Sequence, residues 1–334
     1  MAAGYSRVCK AHSLQALPEN QAPPKVYDVV IFSVELDLLE IRMRELYSVV
    51  DYFVVLESNV TFSGEIKPLT FQDNQGQFAF ARDKIVHGII GDLKLSTSTS
   101  DRKAGEEAKK EDPFKNEIKM RNGVSRFIDS LKPAKGDIII QSDVDEITSS
   151  RAVLLLKHCT GYPDIVHLGM PSYLYSFEFP MERKNANSLS VNNGEGAGPR
   201  QWRASAKKYG TKAYNGYTHS RQSDTILEKA GWHLTFAFKY IEDFIFKMKS
   251  YSHNDRVTSP DMLSPAVIQE KICTGADIYN MLPEAYDFRS LLDQWGRIPS
   301  SRDVRNIPKS VLEHEDKFGY LLPGGCKREH KKPS

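Results

Sequence analysis

The chain is predicted to be an α/β protein, a mostly parallel twisted sheet flanked by helices, with helical embellishments towards the C-terminus. Three observations predict this. Val29-Val30-Ile31 and Ile138-Ile139-Ile140 are short β-branched runs, apolar on both faces, as in strands buried between two layers of helix. Between the first run and Asp51–Glu57, Leu36, Leu39, Met43, Leu46 and Val50 recur at helical spacing. Strand, helix and strand in that order imply parallel pairing with a right-handed crossover. Finally, the alternation continues along the chain without an internal repeat, which argues for one domain.

In chain order, residues 1–24 are polar, carry Pro18, Pro23 and Pro24, and read as a lead-in. Val26–Ser33 is the first strand, 35–49 an amphipathic helix, 51–57 the second strand and 84–90 the third. Residues 94–113, with Ser-Thr-Ser-Thr-Ser and mixed Lys and Glu, predict a mobile surface loop. Ile118, Val124, Phe127, Ile128 and Leu131 mark a helix that leads through Lys132-Pro133 into the Ile138 strand. A short helix over 151–158 follows, then strands over 164–170 and 173–179. The length of the polar stretch 183–200 suits a lid. Gly231-Trp232-His233 precedes an aromatic strand over 234–240, and a helix runs from about Ile241 to Ser250. Ser264-Pro265 opens another helix with an N-cap and Pro at the first position. Ser310 with Glu313 has the spacing of a capping box. The main body spans 25–322, divided at about 147 into two halves, and 323–334 reads as a basic tail, disordered from Lys327.

Lys+Arg 45 against Asp+Glu 43 leaves a net charge of +2, so the chain lacks the global basic field of a nucleic-acid binder. It contains no apolar run long enough to span a bilayer and no signal-peptide pattern. Cys9, Cys159, Cys273 and Cys326 form no Cys-x-x-Cys pair, which argues against structural zinc. Buried or free thiols are expected, with Cys9–Cys326 the alternative in an oxidising compartment.

The chemistry centres on Gly136-Asp-Ile-Ile-Ile-Gln-Ser-Asp-Val-Asp-Glu-Ile147. Its apolar run stops where Asp143, Asp145 and Glu146 begin, and open α/β sheets bind ligands outside the carboxyl ends of their strands. Two carboxylates two residues apart can hold one hard divalent cation against a ligand's phosphates. A solvated acidic turn is the plainer alternative. An aspartyl-nucleophile phosphohydrolase also carries Asp-X-Asp after a strand, normally its first, with Thr or Val two places on. Here several elements precede the motif and Ile147 takes that place. The order of elements favours a nucleotide-sugar transferase. No P-loop or Gly-x-Gly-x-x-Gly is present.

Several separated motifs carry a family resemblance. They are Glu35-Leu-Asp-Leu-Leu-Glu-Ile-Arg42 with Glu45-Leu46, Val50-Asp-Tyr-Phe-Val-Val-Leu-Glu-Ser58, Thr61-Phe-Ser-Gly64 and Lys67-Pro-Leu69. Glu117, Arg121-Asn122, Gly136-Asp137, Ser142-Asp-Val-Asp-Glu-Ile147, Gly231-Trp-His233, Glu242 and Ser252-His253 continue the series. From about Val26 to Tyr251 the chain resembles glycosyltransferase family 17, the family of bisecting β-1,4-N-acetylglucosaminyltransferases, and is most like its fungal members. Phe114 and Met120 depart from it, standing where members often have Trp and Gln.

The resemblance implies a GT-A-type fold, UDP-N-acetylglucosamine as donor, Mn²⁺ or Mg²⁺, a glycan acceptor, inversion at the anomeric carbon, and a Golgi-lumen setting. The balanced charge argues against a nucleic-acid partner. A non-catalytic sugar- or nucleotide-binding protein of the same fold is the alternative from another class.

Each residue has a role and a plainer fate. Asp143 and Asp145 are expected to hold the metal, with His253 preferred over His233 as third ligand. Asp143 also faces the donor, with Glu35, Glu57, Lys67, Arg121 and Asn122. Glu57 equally suits a helix cap, Lys67 a rigid turn before Pro68, and Arg121 a pair with Glu117 four residues away. Arg42 is expected on a helix surface. Trp232 and His233 are expected to meet the acceptor, although a core Trp and a hydrogen-bonded His are commoner. Glu242 is the candidate general base, with Asp243 in reserve, and capping of the helix there is the alternative. Asn59-Val60-Thr61 is a glycosylation sequon expected to stay unmodified, since a glycan would crowd the crevice.

Overall fold

The computed structural model describes residues 2–91, 93–95, 113–181, 202–212, 214, 216, 220–280, 298 and 300–332. The expected loop at 94–113, apart from 94, 95 and 113, and the expected lid at 183–200 lie outside these residues. In chain order the elements are α1 (Ala2–Ala11), β1 (Gln15–Ala16), β2 (Val26–Ile31), α2 (Leu36–Leu46), β3 (Tyr52–Glu57), α3 (Thr70–Asp73) and β4 (Ile85–Ile89). Next come α4 (Pro113–Ser130), β5 (Ile138–Asp143), β6 (Glu146–Thr148), α5 (Ser150–His158), β7 (Cys159–Thr160), β8 (Ile165–Leu168) and β9 (Ser172–Leu174). The last are β10 (Ala204–Lys208), β11 (Ile226–Leu227), β12 (Gly231–Thr235), α6 (Ile241–Ser250), α7 (Pro265–Thr274), α8 (Lys309–Glu313) and α9 (Glu315–Phe318). No helix among the described residues is long and apolar enough to cross a membrane.

Seven of the described strands form one sheet in the order β11-β8-β10-β5-β2-β3-β4. β5, β2, β3 and β4 are parallel neighbours, as the βαβ reading requires. On one face Val26, Val30, Ile138 and Ile140 pack against Leu39 and Met43 of α2 and Val153 and Leu156 of α5. On the other, Val29, Val54 and Ile139 meet Met120, Val124 and Ile128 of α4. The β-branched runs are therefore apolar on both faces because both faces are covered. A second sheet, β6-β12-β9, crosses behind the end of β5. Its close approach requires glycine at 231, where a Cβ would stand 2.0 Å from the Ile147 carbonyl oxygen.

Several expectations are corrected. β10 runs antiparallel between β8 and β5, and sequence periodicity does not reveal it. The 173–179 strand stops at Leu174, because Tyr175 turns with φ 63° while its N–H bonds to the Thr235 carbonyl. The 234–240 strand instead starts at Gly231 and ends at Thr235, before Phe236 turns with φ 54°. Ser264 sits at the N-cap of α7 without a side-chain cap bond. Ser310 lies inside α8, whose N-cap is Pro308, so it forms no capping box.

The lead-in begins as a helix, α1, and Cys9 is bonded to Cys159 rather than to Cys326. Cys273 on α7 bonds to Cys326, so no free thiol remains. The basic tail is ordered through residue 332. Glu329 pairs through its backbone with Lys239 and Ile241, and the Arg328 guanidinium is buried against the carbonyls of Gly325 and Tyr175. The positive tail is ordered because a disulfide and buried backbone acceptors fix it.

Candidate active site

A cleft opens at the carboxyl ends of β2 and β5. Parallel pairing sets Ile31 opposite Asp143, so the turns leaving both strands share one edge. Three carboxylates, Glu35, Asp143 and Asp145, and three cations, Lys67, Arg121 and Lys247, line it together with Phe62 and Tyr251.

The acidic turn rests on a buried arginine. Arg42 is fully buried, and its guanidinium grips both carboxylate oxygens of Asp28, with Nε 2.7 Å from Oδ2. It also donates to Ser142 Oγ and to the carbonyls of Asp143 (3.1 Å) and Glu146 (2.8 Å). The expectation of a surface position is thus wrong, because an aspartate inside a buried strand needs a cation. Asp28 within Val26–Ile31 was the signal that could have found it. Burial, then the nearness of Asp143 and Asp145, pushes the Glu146 carboxyl well above the usual range. Its Oε2 accepts from the Asp143 N–H at 3.0 Å.

Five predicted residues come together in the cleft. The Asp143 side chain, 33% exposed, lies 3.5 Å from the Arg121 guanidinium, which also grips Glu117 at 2.7 Å. Asp145 Oδ2 is 3.1 Å from Lys247 Nζ, and Glu35 Oε1 is 3.6 Å from the same ammonium. Glu35 Oε2 accepts from the Val34 N–H. Lys67 is buried and donates to the carbonyls of Ser33 and Pro68. Burial pulls its pKa down, although Glu57 and Glu35 pull the other way. For Lys247, burial lowers the pKa, but Asp145 and Glu35 outweigh it and keep the ammonium charged. Nothing in the sequence separated Lys247 from its neighbour Lys249.

The other predicted residues are placed elsewhere. Glu57 is fully buried and accepts from the N–H groups of Phe71 and Gln72 at the start of α3, the cap alternative. Asn122 is exposed on α4 outside the cleft lining. Trp232 is buried and its indole N–H donates to the Asn306 carbonyl. His233 lies between Ser172 Oγ (3.1 Å) and Thr235 Oγ1 (3.2 Å). His253 packs on Phe114 and Tyr251, because the chain leaves α6 towards α4 rather than towards the acidic turn. Glu242 faces the tail, taking His330 Nδ1 at 2.8 Å and the Lys331 N–H at 2.9 Å. Asp243 is buried on the same helical turn and pairs with the Lys331 ammonium. Burial pushes the Asp243 carboxyl up, Lys331 opposes this, and nearby Glu35 adds to the rise.

Among the described residues, no three His, Cys, Asp or Glu side chains gather as a complete metal cage, so His253 does not join the two aspartates. A pair of carboxylates at a cleft mouth still fits Mn²⁺ or Mg²⁺. Such ions keep water in their shell and take one or two carboxylates plus ligand phosphates.

Parallel strands ending in a cleft lined by an acidic turn and three cations define an α/β protein with a mixed-charge pocket at the carboxyl edge of its sheet. The model of glycosyltransferase family 17 matches residues 2–329, and the chain belongs to that family. Beta-1,4-mannosyl-glycoprotein 4-beta-N-acetylglucosaminyltransferases of Rattus norvegicus and Homo sapiens are each 33% identical to it over 165 residues. The Mus musculus protein of the same name is 32% identical over the same length. These matches cover 49% of this chain and 29% of each relative.

Proposed function

We propose that this chain transfers N-acetylglucosamine from UDP-N-acetylglucosamine to a glycan hydroxyl, with inversion. The observation that carries the reading is the cleft itself: Lys67, Arg121 and Lys247 converge beside the Asp-Val-Asp turn, a charge pattern suited to a nucleotide diphosphate. Family membership and the names of the relatives support N-acetylglucosamine as the sugar and a mannosyl-glycoprotein as the acceptor. The strand order, with β10 reversed among parallel strands, supports a GT-A-type reading of the fold.

Asp143 and Asp145 are the residues to hold Mn²⁺ or Mg²⁺, which supplies charge neutralisation at the departing diphosphate. Arg121 orients Asp143 and offers a second positive charge at the same edge. A direct displacement needs a proton acceptor on the acceptor side, and we assign it to the first turn of α6. Asp243 is the better-placed of the pair: burial pushes its carboxyl up and Lys247 one turn on lines the cleft, but Asp243 lies behind that lining and must part from the Lys331 ammonium to accept a proton. Glu242 faces the tail. Trp232 and His233 serve the acceptor side through β12, which pairs with β6 beside the acidic turn, His233 opposite Glu146.

Calorimetry tests the donor. UDP should bind in Mn²⁺ and lose affinity in EDTA. Tighter binding of GDP would overturn the donor assignment, and absence of donor hydrolysis and transfer with UDP still bound would favour a non-catalytic binding protein.

A further inference from the structure

Lys247 has no part in the Asp-Val-Asp motif, yet it holds the motif's second carboxylate. Its ammonium stands between Asp145 (3.1 Å) and Glu35 (3.6 Å), and its side chain is only 15% exposed. The rings of Phe236, Phe238 and Tyr251 surround it at 5.5, 5.4 and 5.9 Å. Aromatic faces on these sides stabilise a cation and leave it little room to retreat. A divalent ion approaching Asp145 therefore meets a carboxylate oxygen already engaged by a positive charge.

We propose that Lys247 is a positioning residue that competes with the divalent cation for Asp145, so that metal binds tightly only together with the donor's diphosphate. The proposal rests on the reading of this cleft as a metal and nucleotide site. Without nucleotide, a bound ion and the ammonium repel each other across one carboxylate. A diphosphate gives both cations a shared anionic partner, and the repulsion becomes joint attraction. Metal and donor then strengthen each other's binding by the same factor, as linkage requires. Asp143, the more exposed carboxylate, is the one presented first.

The experiment is a Mn²⁺ titration of the full chain, read by the electron paramagnetic resonance of free aquo-Mn²⁺, first without and then with UDP. Wild type should bind Mn²⁺ weakly alone and more tightly with UDP. Lys247→Gln should bind Mn²⁺ alone about tenfold tighter, a change of one unit in log affinity, and gain less from UDP. Lys247→Arg keeps a cation and should resemble wild type. General loosening of the fold would weaken metal binding, so tightening is not a structural side effect. If Lys247→Gln fails to fold, Glu35→Gln/Lys247→Gln removes one carboxylate with the ammonium and should still bind Mn²⁺ more tightly than wild type. Mn²⁺ affinity at or below the wild-type value in the folded variant overturns the proposal. Failure of UDP to bind any of the proteins would overturn the donor reading, while the comparison of Mn²⁺ alone would still decide the role of Lys247.

Discussion

At the scale of single residues, the site is set by which charges find partners below the surface. Arg42 satisfies Asp28, Ser142 and two carbonyls of the acidic turn at once. Arg42→Met should therefore cost about 3–5 kcal/mol, the penalty of leaving a buried carboxylate unpaired, and urea unfolding would read it. Asp28→Asn in the same chain should recover part of that loss. Asp243→Asn should lower transfer by about 10²–10⁴-fold, the usual contribution of a positioned base, while UDP binding persists. Glu242→Gln should stay near wild type in rate, and the reverse pattern would move the base to Glu242. Asp143 and Asp145 were legible because they close a buried strand and Glu35 because it follows one, whereas Lys67, well past β3, was legible only through its Lys-Pro motif. Glu57 lies at a strand end too, but it turns to the N–H groups that open α3 and to His87, the capping alternative that the sequence offered equally. Lys247 was illegible because its partners lie over a hundred residues away, as with Asp145, or at the start of α2, as with Glu35.

Among elements, the C-terminal strap departs furthest from expectation. Four of its features are long-range: the Cys273–Cys326 disulfide, the buried Arg328, the backbone pairing of Glu329, and the contacts of His330 and Lys331 with α6. A local run of Lys and Arg cannot announce such partners. Cys326→Ser should lower stability by about 2–4 kcal/mol, as loss of a cross-link closing a loop of this order does. Thermal melting with and without reductant would check it: the variant keeps only Cys9–Cys159, so a variant indifferent to reductant would assign the wild-type shift to Cys273–Cys326, and a variant as sensitive as wild type would assign it to Cys9–Cys159. β10 was missed for a related reason. Ala-Ser-Ala-Lys-Lys has weak strand propensity and becomes a strand because β5 and β8 offer it hydrogen bonds on both sides.

Over the whole molecule, the parallel core was legible from β-branched runs, whereas the polar interior on its far side was not. His167 is fully buried. It lies beside Ser205, accepts from the N–H groups of Gln222 and Ser223, and stacks on Trp202. Burial, then Lys207 and Arg221, pushes its pKa down to about 4 from 6.5. The folded imidazole thus stays neutral between those values while the unfolded one takes up a proton. Stability from this group is intact above pH 6.5 and is lost as pH falls towards 4. The loss should be on the order of 3 kcal/mol at the acid end. Urea midpoints across that range would show it, and His167→Gln should flatten the acid limb if this residue dominates it.

The place of β10 also has a consequence for how the chain is made. Synthesis delivers β2, β3, β4 and β5 first, and they can pair in parallel as they emerge. β5 then waits with one edge bare, because its other neighbour begins at Ala204. A bare edge in a nascent chain invites pairing with other chains and recruits chaperones. Ribosome-stalled chains ending shortly before β10 should be protease-sensitive, and those extended well past β12 should resist. Protection already complete before β10 emerges would mean that some other segment shields that edge.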